Sequence, residues 1–100
     1  MTYSFSEAED LCLANYDALQ TKRFLTIGTM PCLFQGLIVA PENANLQLKQ
    51  EIFDKCIKEG KSDFRVLQEM GYLNEPMKPF LIYQQKEGQI IIPLESYLNS

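Results

Sequence analysis

The strongest constraint on the fold lies toward the C-terminal end of the sequence. Phe80-Leu81-Ile82-Tyr83-Gln84-Gln85 and Gln89-Ile90-Ile91-Ile92 are two runs rich in β-branched and aromatic residues, separated by Lys86-Glu87-Gly88. A polar turn with a glycine between two such runs predicts a β-hairpin. Pro93 closes its second strand, because proline cannot continue a ladder of N–H donors. The uninterrupted Ile90–Ile92 run predicts a central, buried strand.

A second hairpin is expected earlier in the chain. After Lys22-Arg23, Phe24 to Gly28 and Leu33 to Ala40 have strand composition, and Thr29-Met30-Pro31 between them suits a turn. Gly36 inside the second strand predicts a bulge or a close backbone approach. No charged residue occurs from Phe24 to Pro41. The stretch is too broken by Thr, Gly, Gln and Pro for a membrane helix, which needs roughly 20 continuous apolar residues. Two buried strands fit it better.

The rest of the pattern is helical. Ser6-Glu7-Ala8-Glu9 has the spacing of a capping box and predicts a helix from about Glu7 to Gln20. Ala8, Leu11, Cys12, Tyr16 and Leu19 share its apolar arc, with Asn15 among them, while Asp10 and Asp17 project from the other side together with Leu13. Asn43 or Asn45 caps a second helix ending near Glu59, with Leu48, Ile52, Phe53, Cys56 and Ile57 inward and the Glu51–Lys55 and Asp54–Lys58 pairs toward water. Gly60 ends it. Ser62 caps a third helix, Asp63 to Met70, whose apolar set is Phe64, Val66, Leu67 and Met70, and Gly71 ends it. Asn74 to Pro79 reads as an ordered loop, and Leu94 to Leu98 as a last helical turn or short extension.

The order α-β-β-α-α-β-β predicts a single α+β domain over residues 1–100. Its expected form is an antiparallel sheet of about four strands, built from two hairpins, with helices packed on one face. A hydrophobic fraction of 46% with 22% charged residues suits a soluble globular chain and excludes a disordered one.

The functional signals are mostly exclusions. The sequence has no histidine, so it lacks the usual general base near neutral pH and the commonest metal ligand. The five glycines are scattered, each at a turn, cap or bulge, and form no phosphate loop. Three cysteines, Cys12, Cys32 and Cys56, stand 20 and 24 residues apart, which suits neither a disulfide framework nor a zinc site. Cys12 and Cys56 fall at core spacing, and Cys32, beside a turn, is the more exposed candidate thiol. Met1-Thr2-Tyr3-Ser4 does not open a signal peptide, and the expected compartment is a reducing cytoplasm. No catalytic residue, cofactor or metal is assigned.

The net charge of −4 is unevenly placed: Glu7, Glu9, Asp10 and Asp17 lie within residues 1–20, which hold no Lys or Arg. An acidic chain is a poor ligand for nucleic acid or an anionic membrane and a good one for a basic protein. The expectation is therefore a small acidic protein-binding module that inhibits or modulates a larger, basic partner, as immunity proteins, antitoxins and phage-encoded inhibitors do. Its candidate contacts are Glu7, Asp10, Leu13 and Asp17, with Tyr83 as an expected half-exposed aromatic. The alternative is a DNA-binding regulator in which residues 46–92 form a winged helix-turn-helix, with Lys61, Arg65 and Gln68 meeting the duplex. Asp63 and Glu69 on the same helix oppose it.

Overall fold

The computed structural model describes residues 2–21, 24–27 and 30–98. The elements run α1 (Phe5–Thr21), β1 (Phe24–Ile27), β2 (Met30–Pro41), α2 (Leu46–Glu59), α3 (Asp63–Met70), β3 (Met77–Gln85), β4 (Gly88–Pro93) and α4 (Leu94–Leu98). The class is α+β and the sheet is antiparallel, with strand order β1-β2-β3-β4.

The two expected hairpins are uneven. Three longer strands, β2, β3 and β4, make the body of the sheet, and β1 adds four residues paired to Met30–Leu33. Met30 and Pro31, expected in a turn, belong to β2, while Lys22, Arg23, Gly28 and Thr29 lie outside the described residues. The long pairing is β2 with β3, from Leu33↔Gln84 to Pro41↔Met77. Its register shifts between Phe34 and Gly36, leaving Gln35 as the bulged residue. Gly36 faces α2: a Cβ there would sit 3.5 Å from the Phe53 ring, an ordinary contact.

Ile90–Ile92 is not the central strand. β4 is an edge strand of half-buried residues, and β3 lies between it and β2. Pro79 to Tyr83 in β3 are buried without a break, the pattern of a strand covered on both faces. β3 also starts earlier than expected, at Met77, so Pro79 is a strand residue. Its missing N–H faces the side on which β4 has already given way to α4 after the Phe80↔Pro93 pair.

Helices cover both faces of the sheet, not one. Ile52 and Phe53 of α2 and Val66 and Leu67 of α3 bury against Phe80 and Ile82. Leu19 of α1 and Leu94 of α4 bury against Leu81, Tyr83 and Cys32, with Ile90 and Ile92 partly buried beside them. Adjacent residues of β3 point to opposite faces, so one strand feeds both layers. Apolar burial at roughly 25 cal/mol per Å² is the main stabilising term in each.

Local signals fix the helix ends. Asn45 accepts the Leu48 N–H (2.8 Å) and Gly60 ends α2 at φ 64°. Ser62 accepts the Arg65 N–H (3.2 Å) to start α3. The box of α1 lies two residues earlier than Ser6–Glu9. The Ser4 N–H donates to Glu7 Oε1 (3.0 Å) and the Glu7 N–H to Ser4 Oγ (3.3 Å). Both frames exist in the sequence. The earlier one wins because it brings Phe5 into the helix, where it is buried and packs edge-on against Phe64 of α3 at 5.2 Å.

Candidate functional site

α1 is held down by Phe5, Ala8 and Leu19, all buried, and by Leu11 and Cys12, half buried. Asn15, which falls within the apolar arc, donates from Nδ2 to the Leu11 carbonyl (2.8 Å). That bond satisfies its amide locally, as a half-buried polar group requires.

The opposite side of α1 is the candidate face. Asp10, Leu13, Ala14 and Asp17 are exposed, and Leu13 keeps 69% of its surface open to water. Asp10, Leu13 and Asp17 are spaced i, i+3, i+7, so they form one stripe with a leucine between two carboxylates. Glu7 is exposed one turn before them. Its carboxylate is engaged by the Ser4 backbone and side chain, which hold its pKa below the ordinary value.

Tyr16 belongs to the apolar arc by its helical spacing and is not one of the expected contacts. It is 45% exposed beside Leu13 and widens the apolar part of the face. The arc is too broad for the sheet to cover, and Tyr16 lies at its margin. A helical-wheel position near that boundary was the only signal available in the sequence.

Tyr83 is not on this face or any surface. Its side chain is completely buried in the α1–α4 layer, where Phe34 packs on it edge-on at 5.5 Å. Its hydroxyl has no hydrogen-bond partner among the described residues, and burial pushes its pKa up, with Tyr97 and Cys32 adding to the effect. The polar neighbours Gln84 and Gln85 suggested exposure, but they belong to the end of β3, where the core stops.

Cys32, expected to be the most exposed thiol, is fully buried, between exposed Pro31 and Leu33 in the alternation of β2. Gln85 Nε2 donates to its sulfur (3.1 Å), and its thiol donates to the Met30 carbonyl (3.7 Å). Cys12 and Cys56 are half buried. Burial, with a smaller contribution from Asp63, pushes the Cys12 thiol up to about 12 and the Cys56 thiol up to about 11. Neither is a thiolate near neutral pH.

The residues of the winged-helix alternative are at the surface around α3, but the cations are already matched. Lys61 Nζ lies 2.8 Å from Glu59 and 3.1 Å from Glu69, and Arg65 Nε lies 3.4 Å from Glu69. Gln68 is exposed beside them. The β3–β4 hairpin, which would be the wing, contributes the strand buried on both faces.

A small cavity of about 20 Å³ lies between Tyr3, Leu11, Pro93 and Leu94, with the Lys78–Glu95 ion pair (2.9 Å) at its rim. Ligand pockets run from about 300 Å³ upward, so it suits packing better than a substrate. Among the described residues no helix is long and apolar enough to cross a membrane. No protein-family model, curated protein or solved structure matches this chain.

Proposed function

We propose that this protein is an acidic binding module that inhibits or modulates a larger, basic protein in the cytoplasm, as immunity proteins, antitoxins and phage-encoded inhibitors do. The supporting observation is the outer face of α1, where Leu13 stands exposed between Asp10 and Asp17 on a helix segment with no basic residue. Carboxylates at the rim steer a cationic partner and set the association rate. Leu13 and Tyr16 supply the apolar anchors that a docked partner desolvates, and these govern dissociation. The action is stoichiometric occlusion, with no bond made or broken by this chain.

The winged-helix reading is the weaker one, because Lys61 and Arg65 would have to leave Glu59 and Glu69 before meeting phosphate.

The test uses the protein captured on immobilised wild type from the source cells. Asp10→Lys/Asp17→Lys should slow its association by at least about tenfold at low salt and flatten the salt dependence. Leu13→Ser should instead speed dissociation, by roughly tenfold. An unchanged association rate in the double variant would remove α1 from the interface and overturn the reading.

A further inference from the structure

The outer edge of β4 is unpaired among the described residues. Its hydrogen-bonding phase follows from Pro93. Proline has no N–H, so the Phe80↔Pro93 pair is of the non-hydrogen-bonded kind. Counting back along the alternation, Ile92 and Ile90 bond to β3, while Ile91 and Gln89 turn both N–H and C=O outward. The same phase is seen at Met77, which exchanges two backbone bonds with Tyr3 (2.7 and 3.1 Å) on the β4 side of β3. Tyr3 thus occupies the line of β4 beyond its end, and the open edge is β4 itself.

Apart from Pro93 at its end, which offers no outward N–H, this edge lacks the usual protection. From Gly88 to Leu94 it carries no lysine and no other charge, and its register with β3 shows no bulge. Both core layers also run out half covered here, Ile91 in the α2–α3 layer and Ile90 and Ile92 in the α1–α4 layer.

We propose that β4 pairs antiparallel with β4 of a second copy of this chain, making one continuous sheet across a two-fold axis near Ile91. The occupant follows from chemistry on both strands. Two chains of net charge −4 repel, and this neutral strand is a place where copies can meet without opposing carboxylates. A two-fold axis sets isoleucine against isoleucine on both faces, so each copy extends both layers of the other. Pairing centred on Ile91 forms about four N–H···O bonds, two at Ile91 and two from Gln89 N–H to the facing Pro93 carbonyl. So short an interface is small beside the roughly 1,600 Å² of stable complexes, and the dimer is a weak, concentration-dependent one. The pairing does not depend on the proposed role of α1.

Sedimentation equilibrium across the micromolar to high-micromolar range tests it, with hydrogen exchange read at single amides. Wild type should dimerise, and the Gln89 and Ile91 amides should gain protection with concentration. Gln89→Pro removes an outward N–H without touching the bonds to β3, so it should keep the circular dichroism spectrum and weaken the dimer at least about tenfold. Gln89→Glu, which adds a carboxylate to the neutral strand of each already acidic copy, should do the same and serves if the proline variant fails to fold. A wild type that stays monomeric throughout, or a folded variant that dimerises as before, would overturn the proposal.

Discussion

Oδ2 of Asp63 accepts the backbone N–H of Val39 at 2.9 Å. Val39 lies where β2 has β3 on one side and no strand of the described residues on the other, since β1 pairs only with Met30–Leu33. The outward amide of an edge strand is thus satisfied by the first residue of a helix 24 positions on. Oδ1 of the same carboxylate accepts the Phe64 N–H (3.1 Å). One side chain therefore docks α3 on the sheet and caps its first turn. Asp63→Ala should cost about 1–3 kcal/mol, because it leaves a part-buried N–H unpaired. Asp63→Asn, which keeps an acceptor, should cost less. Urea unfolding of the two variants checks the order, and equal losses would refute the bridge.

The same carboxyl has an opposite sign to its neighbours in pH dependence. Burial raises its pKa above the ordinary 3.8, although its bonds from Val39 and Phe64 work the other way. Cys12 of α1 and Cys56 of α2 face it as neutral thiols. The folded state thus holds this proton more tightly than the unfolded chain does. The stability linked to that proton is present in full below the unfolded pKa and lost as pH rises through the folded value. Glu7, Glu69 and Glu95 have lowered pKa values through bonds from Ser4, Lys61 and Lys78, so their contributions are lost as pH falls. Relative to wild type, Asp63→Asn should accordingly be more stable at pH 7 than at pH 4. A stability difference that is flat between these two pH values would exclude an Asp63 shift.

Tyr83 gives a prediction of the opposite sense. Its hydroxyl is buried with no partner among the described residues, and an unpaired buried hydroxyl carries an uncompensated desolvation cost. Tyr83→Phe keeps the ring and its edge-on contact with Phe34. It should be neutral or stabilising by about 1 kcal/mol, read as a rise in Tm. A loss of more than about 1 kcal/mol would mean that the hydroxyl has a partner in solution.

The thiols separate packing from chemistry. In the native protein at pH 8, Cys12 and Cys56 should react with a disulfide reagent at least about tenfold more slowly than free cysteine, because little of either is thiolate. Cys32 should be slow for another reason: it is fully enclosed. All three should reach the free-cysteine rate in denaturant. A native cysteine that reacts as fast as free thiol would break this account and reopen a nucleophilic role for that residue.

What could be read from the sequence divides along short and long range. The caps Asn45 and Ser62 and the stops Gly60 and Gly71 act within one turn, so residue type alone located α2 and α3. The stripe Asp10-Leu13-Asp17 was equally legible, since helical spacing needs no tertiary information. Where two local solutions competed, packing chose: Phe5 against Phe64 selected Ser4 over Ser6. Strand order was not legible, because Ile90–Ile92 reads the same at an edge as at the centre. The burial of Tyr83 and Cys32 is hidden from the sequence for a related reason. Their burial comes from Leu19 and Leu94, on helices distant in sequence that close over the second face of the sheet.

Gly36 tests the closeness of α2 to β2 directly. Its backbone has no positive φ that would reserve the position for glycine, and an added Cβ would meet Phe53 at 3.5 Å, an ordinary contact. Gly36→Ala should therefore be tolerated, and a gain of up to about 1 kcal/mol is expected from the smaller entropy of its unfolded chain. Gly36→Val places further methyl groups against the same ring and overfills the layer between α2 and the sheet, which should cost about 1–3 kcal/mol. Phe53→Leu gives the larger side chain room and should recover part of that loss, so the two substitutions combined should be less destabilising than the sum of each alone. Strict additivity in this double-mutant cycle would place Phe53 away from Gly36 and contradict the packing described for the bulge.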